Sequence, residues 1–256
     1  MTYTQEQKSD LRKIMDTEEA VLPLWKYVRP KKQIISWNGV SEILDKLKWN
    51  KNMVLLDLPC GQGGLSIPLA NKYGVKVLGY DILPEWVSYA NELAIKKVVR
   101  SLCSFGVTDI REVAKKKNIC DVLLWSAPPH VFGKAKPTVK ALRNLVKNDG
   151  LVVIADSYLL CSVKPSNALK DYETLEKTNQ GYTAFGDKII KFKDLRTSQW
   201  KNDYIYTKKI LTDALKRIPT KQKKQIMRNY IKTLPQKEKQ DKTTLGSALW
   251  VIRVKK

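Results

Sequence analysis

The sequence predicts an α/β fold with a doubly wound, mostly parallel sheet. Short apolar runs recur along the chain and alternate with segments whose apolar residues lie three or four positions apart, the pattern of strands followed by helices. The first run ends in a turn that contains Gly61, Gly63 and Gly64. Later runs end at acidic or polar residues, and parallel strands joined by helices bring such ends to one edge of a sheet. We therefore expect one α/β domain with a ligand site at that edge.

Helices are expected before the first strand. Residues 9–29 carry apolar side chains at helical spacing, and a second helix is expected from about Val40 to Lys48. Leading helices of this kind often roof the site of α/β enzymes, so we expect residues 1–49 to form a cap. Tyr27 is a candidate substrate contact, although aromatic residues near helix ends more often serve packing.

The glycine turn predicts a bound nucleotide-like molecule. The run that starts at Met53 passes Asp57, enters the turn and continues as a helix from Gly64. Glycines allow positive φ and close approach to main-chain N–H groups, and the helix N-terminus adds partial positive charge. A dinucleotide site needs G-x-G-x-x-G, and only Gly61 and Gly63 fit. A plain strand-to-helix turn without a ligand is the other interpretation of this loop taken alone.

Two further acids follow predicted strands. Asp81 ends the run from Val75 to Tyr80, 24 residues after the first acid, and is placed to accept hydrogen bonds from ribose hydroxyls. Alternatively, it caps the helix from Pro84 to Ala94. A third strand from Ser101 to Thr108 leads to Asp109. Turn, helix, strand and terminal acid together indicate a nucleoside-containing ligand more strongly than the turn alone.

His130 is the only histidine in the chain and follows the fourth predicted strand, Cys120 to Trp125. With an ordinary pKa of about 6.5, a histidine can act as general base toward a hydroxyl or an amine. It is equally consistent with a loop histidine held by a backbone carbonyl. The fifth strand, Leu151 to Ala155, carries Asp156 and Tyr158 at its carboxyl end.

The loop after the first strand resembles motif I of the class I S-adenosylmethionine-dependent methyltransferases, D/E-x-G-x-G-x-G. In that family the acid and the loop amides hold the aminoacyl end of the cofactor. Pro59 stands where the first glycine is usual and has no N–H to donate. The resemblance implies S-adenosyl-L-methionine as cofactor, with an acid after the third strand near the adenine amino group and its apolar neighbour over the ring. The implied cofactor contacts are Asp57, Pro59, Gly61, Gly63, Asp81, Ile82, Asp109, Ile110 and Ser126.

The segment from Ser126 to Gly133 has two interpretations within the family. Its paired prolines resemble the (D/N/S)-P-P-(Y/F/W) motif of amino-methylating enzymes, but Ala127 and His130 occupy the clamping and stacking positions. It looks closer to the S-H-x-F-G region of uncharacterised small-molecule-type methyltransferases. The resemblance implies His130 as catalytic residue, and we expect substrate contacts from His130, Tyr158, Trp200, Tyr204 and Tyr27.

The charge balance leaves the acceptor open. The chain has 47 basic and 25 acidic residues, a net charge of +22, and residues 201–242 are the most basic part. Such a surface favours RNA or another polyanion, whereas a solvated lysine-rich surface explains it equally well. Three functions follow: methyl transfer to a small molecule, which we favour; methyl transfer to RNA or another macromolecule; and cofactor binding without catalysis.

The remaining expectations concern architecture and location. The resemblance implies a seven-stranded sheet with an antiparallel last strand. We expect a cofactor-binding core at 50–199, a basic helical lid at 200–244, and a closing strand at 245–256. Four cysteines far apart and a single histidine argue against zinc and disulfides. No signal peptide or membrane span is apparent, and the cytosol is the expected location. The sequence does not predict an oligomeric state.

Overall fold

The computed structural model describes residues 20–28, 37–126, 130–160, 169–195 and 199–256. A 3₁₀ segment, Leu22–Tyr27, precedes the regular elements. The strands are β1 (Val54–Leu58), β2 (Lys76–Asp81), β3 (Cys103–Val107), β4 (Cys120–Ser126), β5 (Val146–Leu159), β6 (Lys188–Asp194) and β7 (Leu245–Arg253). The helices are α1 (Trp37–Asp45), α2 (Ser66–Tyr73), α3 (Pro84–Lys96), α4 (Ile110–Val113), α5 (Ala135–Leu145), α6 (Leu175–Thr183), α7 (Gln199–Ala214) and α8 (Lys221–Thr244).

The seven strands form one sheet in the order β3-β2-β1-β4-β5-β7-β6. β7 is antiparallel to both of its neighbours, and the other pairs are parallel. The predicted fold class is confirmed. The strand order reverses at β1, which lies between β2 and β4, and open α/β sheets bind ligands outside the carboxyl ends of the strands at such a point. The glycine turn leaves β1 at this place.

The sheet separates two apolar clusters. The first packs α1, α2 and α3 on one face, and the second packs α4, α5 and α6 on the other. Because successive strand residues point to opposite faces, Asp57 and Asp81 point to the same face as Leu55 and Val77, which belong to the first cluster. Asp156 points to the second face, with Ile154. The acids of β1 and β2 therefore share one side of the sheet edge.

A third apolar cluster joins the predicted cap to the predicted lid. In this cluster, residues 21–28 pack against α7, α8 and the turn between them. Its buried members are Val21, Leu24, Val28, Ile210, Leu211, Ala214, Ile218, Met227, Tyr230 and Leu234. By contrast, α1 packs on the first cluster through Val40, Ile43 and Leu44. Residues 20–28 and the two late helices thus share a core of their own.

Two helix ends that the sequence predicts are wrong. The turn residues of Asn148–Gly150 predict the end of α5, but α5 ends at Leu145 and β5 begins at once, with a register shift against β4. Gly181 predicts the end of the next helix, yet it lies inside α6. A Cβ at this position would come within 2.7 Å of the Ala135 Cβ. Close packing of α6 on α5 therefore requires glycine here.

The start of the chain differs from the prediction in detail. Of the helix expected over residues 9–29, the structure describes only the part from residue 20, which is mainly 3₁₀ helix. The helix expected from Val40 to Lys48 runs from Trp37 to Asp45. Within the described ranges, no helix is long and apolar enough to cross a membrane.

Candidate cofactor and acceptor site

The glycine loop is held directly by the acid of β2. The Asp81 carboxylate accepts the backbone N–H of Gly61 at 2.9 Å and that of Leu83 at 3.0 Å. Gly61 and Gly63 have φ of 52° and 72°, a region that glycine adopts at little cost. A Cβ on Gly63 would come within 2.6 Å of the Ile67 side chain. The loop conformation thus depends on both glycines and on Asp81.

Two buried carboxyl groups face this loop. Asp57 is 2% exposed and Asp81 4%. Burial raises the pKa of Asp57 to about 7, and the nearby charge of Asp81 acts in the same direction. Burial also raises the pKa of Asp81, against the effect of its backbone donors. Ionised carboxylates in such a place are stabilised by added hydrogen-bond donors.

The other predicted contacts on the cofactor side lie near the same edge. Pro59 follows a cis peptide bond, and the next residue, Cys60, donates its N–H to the carbonyl of Tyr80 at 2.9 Å. Ile82 is 64% exposed. Ser126 ends β4, is buried, and its hydroxyl has no hydrogen-bond partner in the described part of the chain. The Ser126 hydroxyl is therefore available to a ligand.

The predicted adenine contacts are occupied within the protein. Asp109 caps α4 by accepting the N–H of Arg111 at 2.9 Å, and it also pairs with the Arg111 guanidinium. This pairing lowers the pKa of Asp109 to about 2. Ile110 is 7% exposed and packs in the second cluster. Asp109 remains at the surface, whereas Ile110 is a core residue because the helix that it begins turns it toward the sheet.

His130 lies beside an acid at the carboxyl end of β5. Its Nε2 is 4.0 Å from the Asp156 Oδ1, and its ring contacts the Tyr172 ring edge-on at 4.3 Å between centroids. Burial raises the pKa of Asp156 to about 6, while the nearby imidazole opposes that effect. The sequence placed both residues at the ends of strands, but it gave no reason to pair them.

A methyltransferase domain model matches residues 49–209. The chain belongs to this methyltransferase family. The resemblance to class I S-adenosylmethionine-dependent methyltransferases is thereby confirmed. The matched range begins before β1 and ends within α7, so it contains the glycine loop, the strand-end acids and His130.

Several characterised and solved proteins resemble this methyltransferase. It is 38% identical over 104 residues to the 2-methyl-6-phytyl-1,4-hydroquinone methyltransferase of Synechocystis, covering 40% of this chain and 31% of that protein. It is 30% identical over 132 residues to ajmaline N-methyltransferase of Rauvolfia serpentina, covering 50% of this chain and 44% of that protein. The chain thus matches less than half the length of either relative.

The fold extends over nearly the whole chain. A methyltransferase from Geobacter sulfurreducens, solved with S-adenosyl-L-homocysteine, superposes with a TM-score of 0.75 at 15% identity and covers 94% of this chain and 97% of that one. At this identity the likeness concerns the fold alone. The sheet order and the flanking helices of the methyltransferase are accordingly those of a known architecture.

The structure departs from the prediction for one acceptor contact. Tyr158 is 3% exposed, packs in the second cluster, and donates its hydroxyl to Asp194 at 3.2 Å. It is enclosed because it lies on the same face of β5 as Ile154, against α6 and the Trp250 ring. Its side chain therefore has a core role, and contact with an acceptor would need it to move.

The other predicted acceptor contacts pack against the third cluster or lie outside the described side chains. Tyr27 and Tyr204 are half-buried and pack against the third cluster. Trp200 lies in α7, but its side chain is outside the described residues, as are Ala127, Pro128 and Pro129. Tyr27 and Tyr204 therefore pack against the same apolar cluster, whereas Tyr158 packs in the second cluster.

Three side chains that sequence reasoning missed hold the segment before α1 in place. The Gln62 amide in the glycine loop donates to the Val28 carbonyl at 3.0 Å. The Trp86 indole at the start of α3 donates to the Trp25 carbonyl at 3.1 Å. The Arg217 guanidinium, after α7, donates to the Tyr27 carbonyl at 2.8 Å. We call these three hydrogen bonds the latch. Sequence offers no signal for it, because each acceptor is a backbone carbonyl.

The residues at the edge fit the cofactor that the family implies. A positively charged amino group and ribose hydroxyls are donors, and the edge presents buried carboxylates at Asp57 and Asp81 with an unpaired hydroxyl at Ser126. Gly61 and Gly63 supply the positive φ of the loop, and their N–H groups are bonded to the Asp81 carboxylate and to the Cys60 carbonyl. Within the described ranges, no group of three or more His, Cys, Asp or Glu could hold a metal ion.

Proposed function

We propose that this protein transfers a methyl group from S-adenosyl-L-methionine to a small-molecule acceptor held between the sheet edge and the lid. The observation that carries the proposal is the latch, which fastens the third cluster over the glycine loop. Gln62 bonds the segment that ends at Val28 to the loop, and Trp86 bonds it to the start of α3. Arg217 of the predicted lid bonds the same segment through the Tyr27 carbonyl. A covered site of this kind suits a small acceptor.

The residues of the chain bind, orient and exclude water. When bound, S-adenosyl-L-methionine supplies a methyl group already activated by a positively charged sulfur. Asp81 fixes the loop through Gly61 and keeps lone pairs for ribose hydroxyls. Asp57 offers a buried acceptor beside the loop. The apolar third cluster lowers the local dielectric and keeps water from the reacting atoms, so alignment of the acceptor supplies most of the catalysis.

The alternatives have less support. The names of the matched relatives denote methyl transfer to a hydroquinone and to ajmaline, which are small molecules. RNA methylation rests on the net charge of +22 and on the basic residues 201–242. The third alternative is cofactor binding without catalysis. The Asp156 carboxyl group beside His130 argues against it, because cofactor binding alone does not need an acid next to a histidine. We also propose a cytosolic location, because Cys60, Cys103 and Cys120 are buried free thiols.

A transfer assay tests this function. The protein is incubated with methyl-labelled S-adenosyl-L-methionine and, separately, with hydroquinones, alkaloid amines, small alkylamines and bulk RNA. The proposal predicts S-adenosyl-L-homocysteine formation that depends on one of the small molecules, with label in that molecule. Label that enters RNA and none of the small molecules would contradict it.

A further inference from the structure

The polar groups of His130 and Asp156 converge without bonding each other. The distance of 4.0 Å between Nε2 and Oδ1 is too long for a hydrogen bond. The Nε2 atom is buried and has no hydrogen-bond partner in the described part of the chain. The Asp156 Oδ1 accepts only the backbone N–H of Ser157, at 2.7 Å, among the described contacts. An imidazole nitrogen and a carboxylate oxygen therefore lie near each other without a bond between them.

The separation of the two atoms suits one shared donor atom. A nitrogen or oxygen at about 2.9 Å from each of two atoms that lie 4.0 Å apart makes a triangle with ordinary hydrogen-bond lengths. A hydroxyl has one proton and satisfies one acceptor, whereas an amine nitrogen has enough protons for both. The carboxylate also stabilises the positive charge that a neutral amine gains when its lone pair bonds the methyl carbon.

We propose that His130 and Asp156 bind an amine nitrogen as the methyl acceptor, and that the imidazole takes the proton which this nitrogen loses. This deepens the proposed function and rests on it. The nitrogen lone pair forms the bond to the methyl carbon, and the carbon–sulfur bond breaks with its electron pair going to sulfur. The proton moves from nitrogen to His130, and Asp156 stabilises the resulting imidazolium. Asp156 is a positioning residue toward His130 and a binding residue toward the amine.

The surroundings leave Asp156 as the counter-ion of the imidazole. The other titratable groups near this pair in the described structure are Tyr172, whose ring contacts His130, and Tyr182, which lies near both Asp156 and Glu173. Burial raises the pKa of Tyr182 well above its ordinary value, so it stays neutral. Burial raises the pKa of Asp156 to about 6, so the carboxyl is mainly ionised at neutral pH.

The single histidine makes a direct test possible. The imidazole ¹⁵N signals of the whole protein, saturated with S-adenosyl-L-homocysteine, come from His130 alone. We expect Asp156→Asn to change the imidazole ¹⁵N chemical shifts, because a carboxylate oxygen 4.0 Å from Nε2 is lost. Asp149→Asn is the matched control: it lies in the same strand, pairs with Lys255, and is roughly 20 Å distant. Imidazole ¹⁵N shifts in Asp156→Asn that equal those of the control overturn the pairing.

A second variant guards against a folding defect. If Asp156→Asn does not fold, His130→Gln is used, and the carboxyl ¹³C signal of Asp156 is followed. Loss of the imidazole should raise the pKa of Asp156 above about 6, because the imidazole lowers the pKa of Asp156 in the wild type. An unchanged Asp156 titration in this variant also overturns the pairing.

The acceptor class is tested with benzylamine and benzyl alcohol at matched millimolar concentrations. Benzylamine should shift the His130 ¹⁵N signals in the wild type and lose this effect in Asp156→Asn, and benzyl alcohol should not shift them. Equal shifts by both probes, or none by the amine, overturn the amine assignment. If the amine test fails but the same samples still bind S-adenosyl-L-homocysteine, the amine assignment to His130 and Asp156 is wrong, while the proposed methyltransferase function is not contradicted.

Discussion

At the scale of single residues, the main feature of the candidate site is a pair of carboxyl groups whose pKa values burial raises. Asp57 is the clearest, because burial raises its pKa to about 7 while an unfolded chain leaves it near 3.8. Asp81 differs, since two backbone N–H groups offset part of its burial. Burial therefore destabilises the ionised form of Asp57 relative to the protonated form in the folded protein.

Asp57 predicts a specific pH dependence of stability. A raised folded-state pKa contributes stability fully below about pH 4 that is lost as the pH rises through about 7. Asp57→Asn cannot ionise, so without cofactor the variant should gain stability relative to wild type between these values, by up to about 4 kcal/mol. Thermal unfolding at pH 4 and pH 8 measures this. A difference between the two proteins that does not vary with pH would contradict the buried-acid interpretation.

The sequence identified individual acids better than it identified their partners. Asp81 and Asp57 follow from their positions at the ends of apolar runs. The pairing of Asp109 with Arg111 and of Tyr158 with Asp194 joins side chains whose contact depends on exact directions. Tyr158 looked like a site residue because it follows a strand, but the strand continues to Leu159 and places its ring in the core.

At the scale of elements, the latch is the feature that the sequence did not reveal. The segment Leu22–Tyr27 is short and 3₁₀ helical, so its own hydrogen bonds stabilise it little. Its position depends on the third cluster and on donors from Gln62, Trp86 and Arg217. Apolar periodicity predicted helices at both ends of the chain, but it does not specify that they pack on each other.

Trp86→Phe tests the latch with a minimal change. Phenylalanine keeps an aromatic ring against Trp25 and removes the indole N–H that bonds its carbonyl. Loss of about 1 kcal/mol of local stability should speed amide exchange in residues 20–28 roughly fivefold. The control is Trp49→Phe, which removes the indole bond to the Leu44 carbonyl elsewhere in the molecule. Equal rates of amide exchange for residues 20–28 in Trp86→Phe and Trp49→Phe would contradict the role of the latch.

At the scale of the whole molecule, the fold class and the sheet edge that carries the candidate site were predictable together. Strand ends collect at one edge in any parallel α/β sheet, so a glycine turn and an acid on the next strand specified the edge. The seven-stranded sheet and the antiparallel β7 agree with the expectation from the sequence, whereas the strand order and the switch point at β1 were not predicted. The convergence of cap and lid on one apolar cluster could not be foreseen, because it depends on contacts between residues nearly two hundred positions apart.

The central claim is that the acids at this edge bind one adenosyl ligand, and calorimetric titration with S-adenosyl-L-homocysteine tests it most directly. We predict saturable one-site binding by the wild type. Asp81→Asn should weaken it by about 1 to 3 kcal/mol, because ribose hydroxyls lose an ionised acceptor. Asp149→Asn, at the other end of the sheet, should bind like the wild type. Absence of binding heat in the wild type, or equal affinity in Asp81→Asn, would contradict the account.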